Sequence, residues 1–190
     1  MIGLIVGLVT LSVSVLARSD GVELRQAEAV LSGQLTLARA TAIRMGKTVR
    51  LAVNLDSANM DERLAVIGLL VRDAATNDWV LLNDPVRLSG KIRVVPEASV
   101  PAAADVSWPA NVVSRWTSTE AFNTPGLPAG RYGYLEFATT GGIFGNPKLA
   151  FSTVARQANS VEFNSADQVR CFMVRGSGVA TLFRESASIP

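Results

Sequence analysis

The first 45 residues carry a hydrophobic pattern with helical spacing. Residues 1–17 contain no charged side chain, and Arg18 and Asp20 end this apolar run. Beyond Asp20, apolar residues recur at intervals of three and four, which is typical of one face of an amphipathic helix. We therefore predict one helix over residues 1–45, apolar over 1–17 and amphipathic over 20–45, with Gly46 as its C-terminal cap. The face predicted to pack on the sheet consists of Leu24, Leu31, Leu35, Ala38, Ala42 and Met45.

After Gly46 the pattern changes to short, strand-like runs. The first run, KTVRLAVNL, alternates and places Val49, Leu51, Val53 and Leu55 on one face. The further runs are RLAVIGLLVRD, WVLL, VRLSGKIRVV, YGYLEFAT, KLAFSTV, NSVEFN, QVRCFMVR and VATLFRES. Turn-forming residues separate them and no helical pattern lies between them, which indicates an antiparallel sheet and not βαβ units. The predicted fold class is α+β: a long N-terminal helix packed on an antiparallel β-sheet domain over residues 46–190.

Residues 96–131 interrupt this series of strands. The segment holds five of the eight prolines and shows no sustained period. Long loops without regular structure in a compact domain are usually functional or mobile. We predict an irregular excursion, the least ordered part of the domain. Its aromatic residues Trp108, Trp116 and Phe122 either pack down onto the sheet or form a contact surface for a partner.

The apolar run at the N-terminus allows several interpretations. A helix over residues 1–17 would be about 26 Å long, slightly short of the ~30 Å hydrocarbon core of a bilayer. The small residues of VSVLA resemble a signal-peptide cleavage site after Ala17, but no basic region precedes the run. The run is therefore a membrane anchor, a signal peptide, or the interior of a longer apolar helix. An anchor followed by an unrelated surface helix is the alternative to one continuous helix.

Composition argues against catalytic chemistry. The chain of 190 residues is long enough for one domain with or without an anchor, and its net charge of +2 is small. It contains no histidine, which removes the usual catalytic triads and most metal sites. The single cysteine, Cys171, lies in an apolar run and is predicted to be a buried structural thiol, while Asp56, Asp61 and Glu62 lack the spacing of a calcium loop. We expect no enzyme activity, no cofactor and no metal.

The junction between the helix and the first strand, LARATAIRMGKTVRLAV, resembles a signature of type IV pilin-like proteins. In minor pilins and pseudopilins of the GspH and FimT type, an Ala-Arg pair late in the helix precedes a glycine or asparagine turn and the first strand. A narrower similarity, to the pilin-like family called Verru_Chthon cassette protein D, rests on Trp79–Leu82, Pro85–Leu88, YLEFATTGGIF and VRGSGVATLFR. The resemblance implies a pilin-like fold over the whole chain.

The resemblance also bears on the N-terminal run. In the family, a basic leader is cleaved before a phenylalanine-like residue, a glutamate follows, and a long apolar helix continues from there. The stretch MIGLIVGL resembles the interior of that helix, so we expect the natural start to lie upstream of Met1. Gly3 and Gly7, at a spacing of four, are candidate contacts between membrane helices because glycine permits close helix approach.

The function that the resemblance implies is structural. The chain would be a non-enzymatic, single-pass inner-membrane subunit of a type IV pilus or a type II secretion-like system, with a periplasmic or extracellular globular domain or a place in a surface filament. Its partners would be the membrane and other pilin-like subunits through the N-terminal helix, without nucleic acid. One alternative is a DNA-binding minor pilin that uses Arg170, Arg175 and Arg184, although VRGSGVATLFRES lacks the Gly-Arg-x-Arg pattern of such proteins. Another is an exported β-domain protein with a signal peptide.

Overall fold

One long helix opens the chain. The computed structural model describes residues 2–73, 75–97, 106–107, 112–157, 160–163, 168–185 and 188–189, with side chains from Gly21 onward apart from positions 106, 107, 156, 157 and 160. Helix α1 runs over Ile2–Met45, a length of 44 residues. It ends at Gly46, whose φ of 60° is the left-handed conformation of a helix-capping glycine. From Gly21 onward, no described helix is long and apolar enough to cross a membrane.

The strands that follow α1 form two sheets. In the described residues, they are, in chain order, β1 Val49–Asn54, β2 Val66–Arg72, β3 Trp79–Leu81, β4 Val86–Arg87, β5 Ile92–Val94, β6 Val106–Ser107, β7 Ser118–Phe122, β8 Gly130–Phe137, β9 Lys148–Gln157, β10 Ser160–Phe163, β11 Arg170–Val174 and β12 Ala180–Phe183. Sheet 1 has the order β3-β2-β1-β8-β7, and β4 also pairs with β2. Sheet 2 has the order β12-β11-β9-β10-β6, and β5 also pairs with β9. The fold is therefore α+β, with two sheets where the sequence predicted one.

Strand direction agrees with the prediction except at one place. The described pairs of sheet 1 are all antiparallel. In sheet 2, β10 and β6 run parallel, because Val161 pairs with Val106 and Glu162 pairs with Ser107. β6 has only two residues and comes from the segment predicted to be irregular, so no strand pattern signalled this pair in the sequence.

The predicted excursion over residues 96–131 is wrong in part. It contains β6 and β7 and the first residues of β8, while residues 98–105 and 108–111, with Trp108, lie outside the described residues. The periodicity missed β7 because its four residues before Phe122 are exposed, so they show no apolar alternation. β7 exists through its antiparallel pairing with β8 at the edge of sheet 1. Trp116 and Phe122 are buried, as the packed-down alternative expected.

Two hydrophobic clusters fill the fold. The larger cluster joins residues of α1 to residues of both sheets, among them Leu35, Leu51 and Phe151. Val49, Leu51, Val53 and Leu55 all belong to it, which confirms the alternation predicted for the first strand. The smaller cluster lies on the opposite face of sheet 1 and contains Ala52, Leu70, Phe122, Tyr132 and Tyr134.

Candidate assembly interface

The second half of α1 has a buried face and an exposed face. Of the six residues predicted to pack, Leu24, Leu31, Leu35, Ala38 and Ala42 are all buried within the larger cluster. Met45 departs from the prediction, since 39% of its surface is exposed. The reason is its place as the last helical residue, after which the chain turns away through Gly46.

A buried carboxylate joins α1 to sheet 2. The Nε of Arg170 and the Nη2 of Arg184 donate to the two carboxylate oxygens of Glu28, at 3.2 and 3.0 Å. The side chain of Glu28 is only 10% exposed, so the two guanidinium groups supply the charge partners that a buried carboxylate requires. Arg170 also donates to the carbonyl oxygen of Arg184, which holds β11 to the end of β12.

The three arginines proposed for nucleic-acid contact therefore do not lie together. Arg170 and Arg184 meet at Glu28, whereas Arg175 lies in the turn at the other end of the β11–β12 hairpin. The five residue steps from Arg170 to Arg175 correspond to about 16 Å along a strand. Arg175 is exposed, and the two other arginines are engaged with the helix.

A second polar contact fixes the C-terminal part of α1. The Nε of Arg39 donates to the carbonyl oxygen of Ser177 in the β11–β12 turn at 3.1 Å. Two glycines with positive φ, Gly141 at 77° and Gly178 at 76°, bring the β8–β9 turn and this hairpin turn against the helix. A Cβ at Gly141 would lie 2.6 Å from Ile43 Cδ1, and a Cβ at Gly178 would lie 1.9 Å from the Gly141 carbonyl oxygen. The positive φ favours glycine at both positions, and at Gly178 a Cβ would also clash with backbone.

The motif that carries the family resemblance thus has a local structural role. Ala38 and Ala42 are fully buried, and Arg39 between them reaches the hairpin turn. The sequence signalled the Ala-Arg pair but gave no sign of its partner, because Ser177 lies 138 residues further along the chain.

A groove lies between α1 and the edge strand β12. Its volume is about 260 Å³, and it is lined by Ser32, Leu35, Thr36, Arg39, Ala40, Ile43, Gly178, Val179 and Ala180. Ile43 and Val179 on its rim are 51% and 48% exposed. The exposed positions of the helix from Gly21 onward include several small residues, namely Ala29, Ser32, Gly33, Thr36 and Ala40, three of which line the groove. Val22, Arg25, Gln26, Leu37 and Arg44 are exposed as well.

Chemical groups suited to catalysis are not gathered in the described residues. No group of three or more His, Cys, Asp or Glu residues that could hold a metal ion occurs there. Asp56 accepts hydrogen bonds from Arg131, and Glu62 pairs with Arg87 at 2.8 Å. Cys171 is fully buried as predicted, and burial raises the pKa of its thiol to about 11. The thiol is therefore protonated and shielded at neutral pH.

Two of the predicted features lie outside the described side chains. Gly3 and Gly7, proposed as contacts between membrane helices, belong to the described course of α1, but side chains are described only from Gly21 onward. The apolar run over residues 1–17, predicted as a transmembrane or filament-core segment, lies outside the described side chains for the same reason.

Comparisons with known proteins give a likeness of fold. No family model matches the sequence, and no curated protein matches it. Two solved structures, both of the minor pseudopilin EpsH from the type II secretion system of Vibrio cholerae, are similar to this chain. The first is 13% identical with a TM-score of 0.47 and covers 85% of this chain and 96% of its own. The second is 13% identical with a TM-score of 0.48 and covers 86% and 94%.

Proposed function

We propose that this chain is a non-enzymatic pilin-like subunit of a type IV pilus or a type II secretion-like system. The first half of α1 anchors it in the membrane, and the same helix assembles with other pilin-like subunits. The globular domain then lies outside the inner membrane. The narrower similarity to Verru_Chthon cassette protein D stays a prediction.

The observation that carries this proposal is a contrast along α1. From Leu24 to Ala42, the apolar face of the helix belongs to the core of the chain itself. Residues 2–17 belong to the same helix, and residues 1–17 carry no charge and precede every charged residue of the sequence. A helix without charges needs lipid or neighbouring helices to cover it, because water cannot solvate its apolar side chains.

The exposed face of α1 is also suited to helix contacts. Small side chains such as Ala29, Gly33 and Ala40 let a neighbouring helix approach closely. From Gly21 onward, the acidic residues of the helix are used within the chain: Glu28 binds two arginines, and Glu23 accepts a hydrogen bond from Ser89 at 2.9 Å. The exposed charges left on this part of the helix are Arg25 and Arg44.

Cell fractionation tests the anchor. We expect the product of the native gene to be intact and in the membrane or in sheared surface filaments, and a variant without residues 1–19 to be soluble and folded. A native protein that begins at Arg18 in the soluble periplasmic fraction would instead support the signal-peptide alternative and contradict the proposal.

Disulfide trapping tests assembly through the helix. Cys171 is the one native cysteine and is buried, so a cysteine introduced on the surface reacts alone. We expect Ala29→Cys, on the exposed face of α1, to give cross-linked dimers in membranes after mild oxidation. Ala121→Cys, exposed on β7 at the edge of sheet 1, is the matched control and should remain monomeric. Equal cross-linking of both variants would mean that the helix face is not the interface.

A further inference from the structure

β12 runs alongside α1 in the opposite direction, and the groove described above separates the two. Before β12, the carbonyl oxygen of Ser177 contacts Arg39. After β12, Arg184 contacts Glu28, which lies 11 residues earlier in the helix than Arg39. The first contact lies at the groove, which Arg39 lines, and the second holds β12 to the helix beyond it. Ile43 and Val179 are exposed on the rim of the groove.

The hydrogen-bond register shows which backbone groups of β12 point toward the open edge. The amide of Arg175 donates to the carbonyl oxygen of Val179 at 3.0 Å, so these two residues form a hydrogen-bonded pair. Hydrogen-bonded and non-hydrogen-bonded pairs alternate in an antiparallel ladder. Thr181 and Phe183 therefore bond to β11, and the N–H and C=O groups of Ala180 and Leu182 point away from it.

This edge is a template for a further strand. β12 is the last strand of sheet 2 in the described part of the chain. Its two outward residues offer two amides and two carbonyls at the spacing of about 6.8 Å that an extended backbone matches. An extended chain bound there would place alternate side chains over the groove between α1 and β12, whose rim carries Ile43 and Val179.

The charges near the groove determine which polar side chains an extended segment bound there would need. Arg39 lines the groove, Arg44 follows the lining residue Ile43, and Arg175 is exposed in the turn whose Gly178 also lines it. At the far end, Arg184 is 67% exposed in spite of its contact with Glu28. Glu185 is the exposed acidic residue at that end. The surroundings are therefore mainly basic, which is complementary to carboxylates.

We propose that β12 and the groove beside it bind an extended segment of another protein. The segment adds a strand to β12, places apolar side chains over Ile43 and Val179, and directs carboxylates toward the arginines. This inference goes beyond the proposed function, because a subunit can assemble through its helix with this edge empty.

Peptide binding to the full-length protein in mild detergent tests the inference. The probe is a fluorescent ten-residue peptide in which valine alternates with aspartate, followed by fluorescence anisotropy. Two further peptides of the same sequence carry backbone N-methyl groups on alternate residues. One is methylated on the valines and the other on the aspartates, so that each form blocks one edge of the strand. A fourth peptide has lysine in place of aspartate.

We expect two peptides to bind at least about tenfold more weakly than the probe. They are the lysine peptide and the peptide whose N-methyl groups lie on the edge that would pair with β12. Equal binding of both methylated forms would overturn strand addition. A single-stranded oligonucleotide is the comparator for charge alone. If it binds as tightly as the probe, the surface attracts polyanions in general and the inference is wrong.

Two variants place the site on the protein. Ala180→Pro removes an amide that points away from β11, so the hairpin keeps its own hydrogen bonds while the added strand loses one. Ile43→Asp puts a carboxylate on the rim of the groove, and Leu37→Asp, on an exposed helix position that does not line the groove, is its matched control.

Ala180→Pro and Ile43→Asp should each weaken peptide binding about tenfold, and Leu37→Asp should leave it unchanged. Equal effects of Ile43→Asp and Leu37→Asp would mean that the groove is not the site. If Ala180→Pro fails to fold, the Ile43 and Leu37 pair together with the methylated peptides still decides the question.

Discussion

The two faces of β1 show two different ways of holding one strand. On the inner face, Val49, Leu51 and Val53 are fully buried in the cluster that includes α1. On the outer face, Arg50 lies 3.9 Å from the ring centroids of Trp79 and Tyr134, and its nitrogens lie 2.6 Å from Glu120 and Glu136. The inner face relies on apolar burial alone, which is not directional. The outer face combines the smaller apolar cluster, to which Ala52 belongs, with contacts that are specific to particular side chains.

The outer contacts allow a charged residue to occupy the centre of a sheet. The Arg50 side chain is only 12% exposed, which would be costly without partners. Two aromatic rings cover its flat faces, and two carboxylates neutralise its charge. Because Trp79 is on β3, Tyr134 and Glu136 on β8 and Glu120 on β7, the arginine links strands from one edge of sheet 1 to the other.

The inner face should be the more sensitive of the two. Leu35 is 2% exposed on α1, so Leu35→Ala removes buried contacts and leaves a cavity. We expect a loss of about 2–5 kcal/mol in the free energy of unfolding, measured by urea denaturation of the full-length protein in mild detergent. Leu37→Ala, at a 39% exposed position two residues away, is the matched control and should change stability by less than about 0.5 kcal/mol. Equal losses would mean that the assignment of the helix faces is wrong.

The outer face should respond to the loss of its arginine by a smaller amount. Arg50→Met keeps an unbranched apolar side chain but removes both ring contacts and both ion pairs. We expect a loss of about 1–3 kcal/mol, together with a change in the fluorescence of Trp79. Arg72→Met is the control, because the Arg72 guanidinium lies 6.0 Å from the Trp79 ring and its side chain is exposed. A cost below that of Arg72→Met would show that the cluster around Arg50 adds no stability.

The same contrast explains what could be predicted from the sequence. Apolar spacing identified the buried face of α1 and the strand β1, because burial on one side leaves a periodic pattern. β2 was marked instead by an unbroken apolar run, because both of its faces are buried. Apolar spacing failed at Met45, where the helix ends, and at β7, whose exposed residues hide their pairing with β8. A periodic pattern reports which positions are buried. The end of α1 was predicted from Gly46 instead, and no pattern showed which strand β7 joins.

Polar contacts across the fold left no such pattern. Nothing in the spacing of the sequence marks Glu28 as a buried ion-pair partner, because Arg170 and Arg184 lie 142 and 156 residues away. The groove beside β12 is lined by residues that are far apart in the sequence, such as Arg39 and Val179, so it too could be found only from the structure. Pairing between single distant residues is a property of the tertiary fold.

The smallest effect should come from the exposed rim of the outer face. Glu120 and Glu136 both pair with Arg50 at 2.6 Å, but the Glu120 side chain is 48% exposed and that of Glu136 is 32% exposed. An exposed ion pair gains little, because water screens the charges and ordering the side chains costs entropy. Glu120→Gln should therefore lower the free energy of unfolding by about 0.2–1 kcal/mol at low salt.

Glu136→Gln should cost more, since its carboxylate is more shielded from water. In 1 M salt the Debye length falls to about 3 Å, so the cost of Glu120→Gln should shrink further than that of Glu136→Gln. Urea denaturation of both variants at two salt concentrations measures this, and a larger cost at Glu120 in either condition would contradict the assignment of that residue to the rim.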